Sequence, residues 1–165
     1  MELRFSPRNI IEMDDVRICF RNFKGEERQF NAAGNRNFSI VIPNGEIAET
    51  LQNDLNRFGV GWNVKISAPR EEGAEPFIHL PVKVKFNDKG PKVYLLSGHN
   101  RIRLTEETIG MLDDIDIAHI DLDIRPYDDE MHGRAFRTAY LQSMIVTQNL
   151  DRFEQRFAEE EAPEE

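Results

Sequence analysis

The sequence predicts a mainly β domain, a small antiparallel barrel or sandwich with one or two helices. Apolar and polar residues alternate in several short segments, which is the period of strands with one buried face. Clear helical spacing of apolar residues occurs in one segment. Gly, Pro and Asn separate the segments, so that most strands follow one another directly and can pair in sequence order.

Strands are predicted mainly where apolar side chains recur at every second position. The longest such segment is residues 78–86, and the turn-forming residues 87–91 predict that it continues into the second strand of a hairpin. Residues 138–147 are apolar on both faces, which favours a central strand. A polar loop is predicted over residues 128–133. The predicted strands are residues 16–20, 38–42, 62–66, 78–86, 93–95, 120–125 and 138–147.

One amphipathic helix is predicted between the second and third strands. Apolar residues from Ile47 to Phe58 fall at i, i+4, i+8 and i+11, which places them on one helical stripe. Asn44 precedes this stripe and can cap the helix by accepting a backbone hydrogen bond. A second, short helix is predicted after Thr105.

The length of 165 residues fits a single folding domain with short extensions at both ends. Residues 1–15 are interpreted as an N-terminal arm, residues 16–153 as the β domain, and residues 154–165 as an acidic tail. The tail contains six Glu and almost no apolar residues, so we expect it to be disordered.

The net charge of −9 argues at first against a nucleic-acid partner, because phosphate binding requires positive surfaces. The tail alone accounts for −5 of that charge, which leaves −4 on residues 1–153. A domain with so small an excess of acids can still carry a basic face and an acidic face. The total charge therefore does not exclude nucleic acid.

Three observations predict a cytoplasmic protein that does not span a membrane. Cys19 is the only cysteine, so an internal disulfide is excluded. No run of 18 apolar residues is present, and the N-terminus lacks the apolar stretch of a signal peptide.

No motif for an enzymatic activity or a cofactor is found. The sequence lacks a Gly-rich phosphate loop and a nucleophile elbow, and Cys19 in mid-strand is interpreted as a buried or half-buried thiol. The densest polar cluster, residues 113–123, contains five Asp and His119. Its spacing fits no known metal-binding loop, so a solvated acidic rim is preferred to a metal-dependent nuclease. We predict a protein that is not an enzyme, with no catalytic residues, metal or cofactor.

Basic residues interleaved with aromatic ones on the outer strand faces point to single-stranded nucleic acid. Cations can follow the phosphates while aromatic rings stack on the bases. Trp62 and Phe38 are assigned to the core instead. The predicted nucleic-acid-binding residues are Arg21, Phe23, Lys83, Lys85, Lys92, Tyr94, Arg101, Arg103, Arg125, Tyr127 and Arg137.

The alternative interpretation is that these cations decorate an ordinary sheet surface and pair with some of the 30 acids. Their placement favours the functional interpretation. Lys83, Lys85, Lys92 and Tyr94 lie on the predicted hairpin with Asp88 as the single acid, while the other acids concentrate elsewhere.

Three stretches carry a resemblance to a known group of proteins: RICFRNFKGEERQFNAAGNRNFSIVI, GWNVKISAPREEGAEPFIHLPVKVKF and HIDLDIRPYDDEMHGRAFRTAYLQSMIVTQ. They resemble a family of small phage and prophage proteins over about residues 16–150. Strand order and acidic end are similar to those of the phage single-stranded-DNA-binding proteins with an OB-fold. The resemblance implies an OB-like antiparallel β-barrel that holds single-stranded DNA during replication or recombination.

Partner expectations follow from this resemblance and from the tail. Single-stranded DNA is the main expected partner, and the tail is a candidate site for replication or recombination proteins. The tail ends in Glu164 and Glu165 where bacterial relatives have an apolar tip, so recruitment of host enzymes does not follow from the resemblance. A homo-oligomer is left open. The alternative function is an acidic phage protein that binds a host or phage protein, as a DNA mimic or inhibitor, and no nucleic acid.

Overall fold

A computed structural model describes residues 1–69, 71–151, 153 and 156. Within these residues the chain has ten strands and one α-helix, which confirms the mainly β prediction. Two short 3-10 turns, Pro7–Asn9 and Ile109–Asp113, complete the regular structure. In chain order the elements are β1 Glu2–Phe5, β2 Ile11–Asp14, β3 Ile18–Asn22, β4 Arg36–Val41, α1 Gly45–Gln52, β5 Lys65–Ser67, β6 Phe77–Val84, β7 Lys92–Ser97, β8 Asn100–Leu104, β9 Ile117–Met131 and β10 Arg134–Gln148.

All ten strands belong to one sheet, with β10 at its centre. The main order is β1-β2-β9-β10-β6-β4-β3, with β5 paired to β6 and β8 paired to β7. One edge of β10 pairs antiparallel with β9. Its other edge pairs in parallel with β6 at residues 139–140 and then with β7 at residues 143–147. In the described residues no pairing joins β1 to β3, so hydrogen bonds do not close the sheet.

One face of this sheet packs on a continuous apolar core. The alternation predicted for β6 is confirmed, because Ile78, Leu80, Val82 and Val84 are all buried. The core assignment of Trp62 and Phe38 is also confirmed, with 3% and 1% of each residue exposed. The opposite face of β6 is therefore available for binding.

Helix α1 begins where the sequence predicts and ends earlier. The Asn44 side chain accepts a hydrogen bond from the Ile47 amide at 2.9 Å, which is the expected N-cap. The helix stops at Gln52 because the chain turns back against it. The Trp62 amide donates to the Leu51 carbonyl at 3.2 Å, and a Cβ on Gly61 would lie 2.0 Å from the Gln52 carbonyl oxygen. Only glycine permits this close approach.

Residues 1–15 differ from the predicted arm, because they form strands β1 and β2 of the sheet. β2 pairs with β9, and Ile11 and Met13 are fully buried. The apolar signal consists of these two positions within a strand of four residues that also contains Glu12 and Asp14. So short a pattern is hard to distinguish from a loop by sequence alone.

The predicted hairpin between β6 and β7 is wrong. After the turn, β7 pairs with β8 and β10, while β6 pairs with β4, β5 and β10. A bridge between Asn87 and Gly90 closes the turn, but the ladder does not continue beyond it. The two strands instead occupy successive positions along the same edge of β10.

The β9–β10 hairpin is longer than predicted. The polar residues 128–130 and Met131, expected in a loop, continue strand β9, and only His132 and Gly133 form the turn. Their polarity reflects partners in the structure, notably the ion pair of Asp128 with Arg137. The predicted disorder of the tail concerns residues 154–165, which lie outside the described residues except Arg156. Among the described residues, no helix is long and apolar enough to cross a membrane.

Candidate nucleic-acid interface

A groove of about 1110 Å³ lies on the outer face of β4, β6 and β10, beside the loop of residues 25–35. We call it the outer groove. Basic and aromatic residues make up half of its lining, and Glu106 is the single acid among the described residues that line it. The lining residues used below are Phe20, Arg28, Phe30, Arg36, His79, Lys83, Lys85, Glu106 and Tyr140.

The wall of the outer groove is a loop held by its own side-chain amides. The Glu26 amide donates to Asn22 Oδ1 at 2.9 Å, and Asn22 Nδ2 donates to the Glu26 carbonyl at 3.0 Å. Asn31 Nδ2 donates to the carbonyls of Glu26 and Asn35 at 2.9 and 3.0 Å. These bonds order the loop around Phe30, which is 93% exposed. Because this ring is almost fully exposed, it can stack on a base without losing packing against the described part of the chain.

Strand register places cations and a ring in one row across the outer face. Tyr140 on β10 is paired with Lys83 on β6 and with Arg125 on β9. Lys83 is in turn paired with Asn37 on β4. Because paired residues project to the same face of a sheet, the row Arg125–Tyr140–Lys83–Asn37 runs across four neighbouring strands.

One aromatic cluster joins Phe20 of β3 to Phe77 and His79 of β6, the strand on the far side of β4. Phe20, which is 61% exposed, packs edge-on against Phe77 and His79 with ring centroids 6.0 and 5.3 Å apart. Phe77 and His79 stack at 5.4 Å. Burial lowers the pKa of His79 below its usual 6.5, and the nearby Lys65 charge lowers it further. His79 is therefore neutral at pH 7 and can act as a stacking surface.

A second aromatic cluster lies on β9 and β10. Tyr127 is 50% exposed, and its ring centroid is 5.9 Å from that of Tyr140 and 6.3 Å from that of Phe136. The Arg125 guanidinium lies over the Tyr140 ring at 5.2 Å. The predicted pair Arg125 and Tyr127 thus adjoins the outer groove through Tyr140.

The predicted contact role of Arg21 and Phe23 does not fit their positions. Strand β3 carries one extra residue between Cys19 and Asn22 relative to β4, and Phe20 in this bulge has φ of 52°. An extra residue reverses which side chains face outward. Phe20 therefore faces outward, while Phe23 is fully buried and stacks on Phe38 at 5.1 Å. Arg21 donates to the carbonyls of Leu112 and Ile115 at 2.9 and 2.8 Å.

Arg137 is also structural, with its side chain only 2% exposed. Its guanidinium donates to both carboxylate oxygens of Asp128, at 2.8 and 3.1 Å, and to Asp54 Oδ2 at 3.2 Å. Burial disfavours the charged form of Asp128, but hydrogen bonds from Arg137 and Asn56 outweigh this and lower its pKa. Arg137 thus joins the loop after α1 to the β9–β10 hairpin and is not available to a phosphate.

The remaining predicted residues form a second basic group on β7 and β8. Lys92, Arg101 and Arg103 are exposed. The guanidinium groups of Arg101 and Arg103 lie 4.3 and 5.8 Å from the centre of the Tyr94 ring. Tyr94 is paired with Ile145 on β10, so this group continues the outer face along the same edge of β10 as β6.

Of the predicted binding residues, Lys83 and Lys85 line the outer groove itself. Phe20, Phe30 and Arg36 also line it and were not among the predicted contacts. Alternation of apolar residues at positions 16, 18 and 20 predicts that Phe20 faces the core, because the bulge in β3 leaves no trace in the alternation. Phe30 and Arg36 flank the polar segment 31–35, where no periodicity exists to show which way a side chain points.

The acidic cluster of residues 113–123 has a structural explanation. Asp113 accepts hydrogen bonds from the amides of Phe23 and Lys24 at 2.8 and 3.0 Å, and Asp121 accepts one from the Asp15 amide. Among the described residues, no group of three His, Cys, Asp or Glu is placed to hold a metal ion. Cys19 is half-buried, and burial raises the pKa of its thiol, which keeps it protonated at pH 7.

Comparisons with known proteins find a family model and several solved structures that are similar to this chain. The family described as "Putative phage ssDNA-binding domain" matches residues 2–165. A solved structure of the single-stranded DNA-binding protein from bacteriophage Enc34 is similar, with a TM-score of 0.53 and 13% identity over 93% of each chain. The same phage protein in complex with ssDNA has a TM-score of 0.55 and 15% identity, over 92% of this chain and 93% of that one. Its C-terminal truncation has a TM-score of 0.54 and 14% identity over 90% and 91%. A comparison with curated proteins finds no significant match.

Proposed function

The chain belongs to the family of phage ssDNA-binding domains, and we propose that it binds single-stranded DNA along the outer groove with little sequence preference. Membership in this family confirms the prediction of single-stranded DNA binding. What we propose here is the path of the DNA along the protein and the residues that contact it.

The row Arg125–Tyr140–Lys83–Asn37 is the observation that carries this proposal. It places cations beside a ring on an open sheet face, at the floor of a groove with an aromatic wall. Four cations line the outer groove and can neutralise phosphates: Arg28, Arg36, Lys83 and Lys85. Exposed rings can stack on any base, because every base has a π-face, so binding of this kind has little sequence preference.

The second basic group extends the proposed path. Lys92, Arg101 and Arg103 lie on β7 and β8, which continue the face along β10 beyond β6. A DNA strand that leaves the outer groove past Tyr140 reaches the second basic group next. A relative with a similar fold was solved in complex with ssDNA, which supports a binding face on this fold.

A role in phage DNA replication or recombination, in the cytoplasm of the host cell, is part of the proposal. Low sequence preference suits a protein that holds transiently exposed strands. The proposal involves no catalytic step. Replication or recombination proteins are proposed as further partners of the acidic tail.

Titration of a fluorescent oligonucleotide of about 30 nucleotides, followed by anisotropy, tests the proposal. Neutralisation of about four phosphates of a single strand predicts a slope of about −3 for log K against log salt. Between roughly 50 and 200 mM salt the affinity should then fall about 50-fold. Contacts to the second basic group would make the slope steeper.

The alternative, an acidic protein that mimics DNA, predicts a different result. The oligonucleotide would remain free at the lowest salt, and a basic protein would be recovered in a pull-down from infected cells. A salt-independent affinity would also contradict the proposal, because the cations of the outer groove would then make no phosphate contact.

A further inference from the structure

We propose that the Glu106 carboxylate competes with a DNA phosphate for the Arg36 guanidinium. Glu106 thereby lowers the affinity for DNA and is displaced when DNA binds. This inference rests on the proposed function, since it concerns the same groove. It assigns opposite effects to two neighbouring residues, one cationic and one acidic.

The Arg36 guanidinium is incompletely satisfied in the free protein. Its two terminal nitrogens donate to Glu106 Oε1 and to the Glu106 carbonyl, both at 3.4 Å. Hydrogen bonds between guanidinium and carboxylate are ordinarily 2.7–2.9 Å long. Arg36 Nε is buried and has no hydrogen-bond partner. A buried, unpaired donor favours any acceptor that can reach it.

Arg36 is fixed in position at the edge of the outer groove. It is the first residue of β4 and is paired with Val84 on β6, so its side chain leaves the sheet on the core side and lines the groove from the end of the strand. Its side chain is 21% exposed and passes close to Gly25 at the start of the loop, where a Cβ on the glycine would lie 3.3 Å from Arg36 Cγ. These contacts restrain the base of the Arg36 side chain where it enters the groove.

Glu106 is much less restrained than Arg36. Its side chain is 56% exposed and extends from the segment between β8 and the 3-10 turn Ile109–Asp113. In the described part of the chain, Arg36 is the partner found for its carboxylate. An exposed ion pair with long contacts contributes little stability, whereas guanidinium and phosphate can form two parallel, charge-assisted bonds. Phosphate should therefore displace Glu106.

Charge explains why Glu106 should reduce affinity. It is the single acid among the described lining residues, which also include the cations Arg28, Lys83 and Lys85. A backbone phosphate placed at Arg36 lies within a few ångströms of this carboxylate and is repelled by it. Removal of the negative charge should therefore tighten binding by roughly 3- to 10-fold at low salt.

The test compares Glu106→Gln with Glu107→Gln in the oligonucleotide titration. Both substitutions remove one negative charge and preserve side-chain size. The Glu107 carboxylate accepts a hydrogen bond from Thr105 Oγ1 at 3.0 Å and does not line the groove. We expect Glu106→Gln to bind roughly 3- to 10-fold more tightly than the unsubstituted protein, and Glu107→Gln to stay within about twofold.

Equal tightening of binding by both variants would mean that net charge alone acts. Unchanged or weaker binding by Glu106→Gln would exclude competition, and either result overturns the inference.

A double-mutant cycle adds an independent readout. In an Arg36→Met background, Glu106→Gln should lose most of its effect, and an undiminished effect would contradict the assignment to Arg36. If the unsubstituted protein does not bind the oligonucleotide at low salt, both the proposed function and this inference are refuted. Normal binding without a Glu106 effect refutes this inference alone.

Discussion

Tyr140 and Lys83 are direct neighbours across the parallel pairing of β10 with β6. This pairing places a ring and a cation side by side on the outer face, between Arg125 on one flank and Asn37 on the other. A nucleotide needs the same two kinds of partner side by side, since its base stacks and its phosphate requires a positive charge.

Replacement of Lys83 by Ala should weaken oligonucleotide binding and reduce its salt dependence. Loss of one phosphate contact lowers the magnitude of the log–log slope by about 0.7 for a single strand. Arg4→Ala is the matched control, because it removes the same charge from β1, where Arg4 forms an ion pair with Asp14. We expect anisotropy titrations at several salt concentrations to show a change in slope for Lys83→Ala alone. Equal slopes for both variants would place Lys83 outside the interface.

Replacement of Phe30 by Ala should reduce affinity without changing stability. Loss of one stacking ring costs about 1–3 kcal/mol of binding free energy. The free energy of unfolding should change by less than about 0.5 kcal/mol, because the side chain is 93% exposed. Phe5, which is 52% exposed on β1, supplies the control. If Phe5→Ala weakens binding as much as Phe30→Ala, stacking in the outer groove is not the cause.

Binding should tighten on mild acidification through His79. Its pKa lies below 6.5 because burial and the Lys65 charge disfavour the imidazolium. As the pH falls through this pKa, a neutral ring in the groove becomes a cation, and bound phosphates in turn favour proton uptake. Affinity measured from about pH 8 to pH 5 should therefore rise toward low pH.

The His79→Gln variant should remove most of that rise. His119→Gln is the control, because His119 lies beside Asp15 and Asp121, at 3.5 and 2.9 Å, away from the groove. A pH profile that is unchanged in His79→Gln, or flattened equally in His119→Gln, would contradict the assignment.

Arg137→Met should destabilise the fold without acting on DNA directly. Loss of the guanidinium leaves the partly buried carboxylates of Asp54 and Asp128 unpaired, at a cost of about 3 kcal/mol. Arg134→Met, at an exposed position of the same strand, should change stability by less than about 0.5 kcal/mol. Urea unfolding measures both. Similar unfolding midpoints would show that the buried ion pairs are not important for stability.

The features that sequence could predict are those set by local periodicity. Alternation over β6 correctly assigned Lys83 and Lys85 to the outer face, and the Asn44 cap was correct because capping depends on a few adjacent residues. The early end of α1 at Gln52 was missed, because it depends on the approach of Gly61 from nine residues downstream.

Features that depend on long-range pairing could not be predicted in the same way. The residues 87–91 signal a turn correctly, yet nothing local shows that β7 then pairs with β10 instead of β6. In β3, one inserted residue moved Phe20 to the outer face and Phe23 into the core. Sequence indicated the kinds of side chain in the interface, whereas register decided which of them are presented.

Photocrosslinking tests the central claim most directly. An oligonucleotide that contains 5-iododeoxyuridine is bound, irradiated and analysed by peptide mass spectrometry, which identifies the rings that stack on bases. We expect crosslinks at Phe20, Phe30, Phe77 or Tyr140, within or beside the outer groove. Crosslinks confined to the β1–β2 side of the sheet, for example at Phe5, would contradict it.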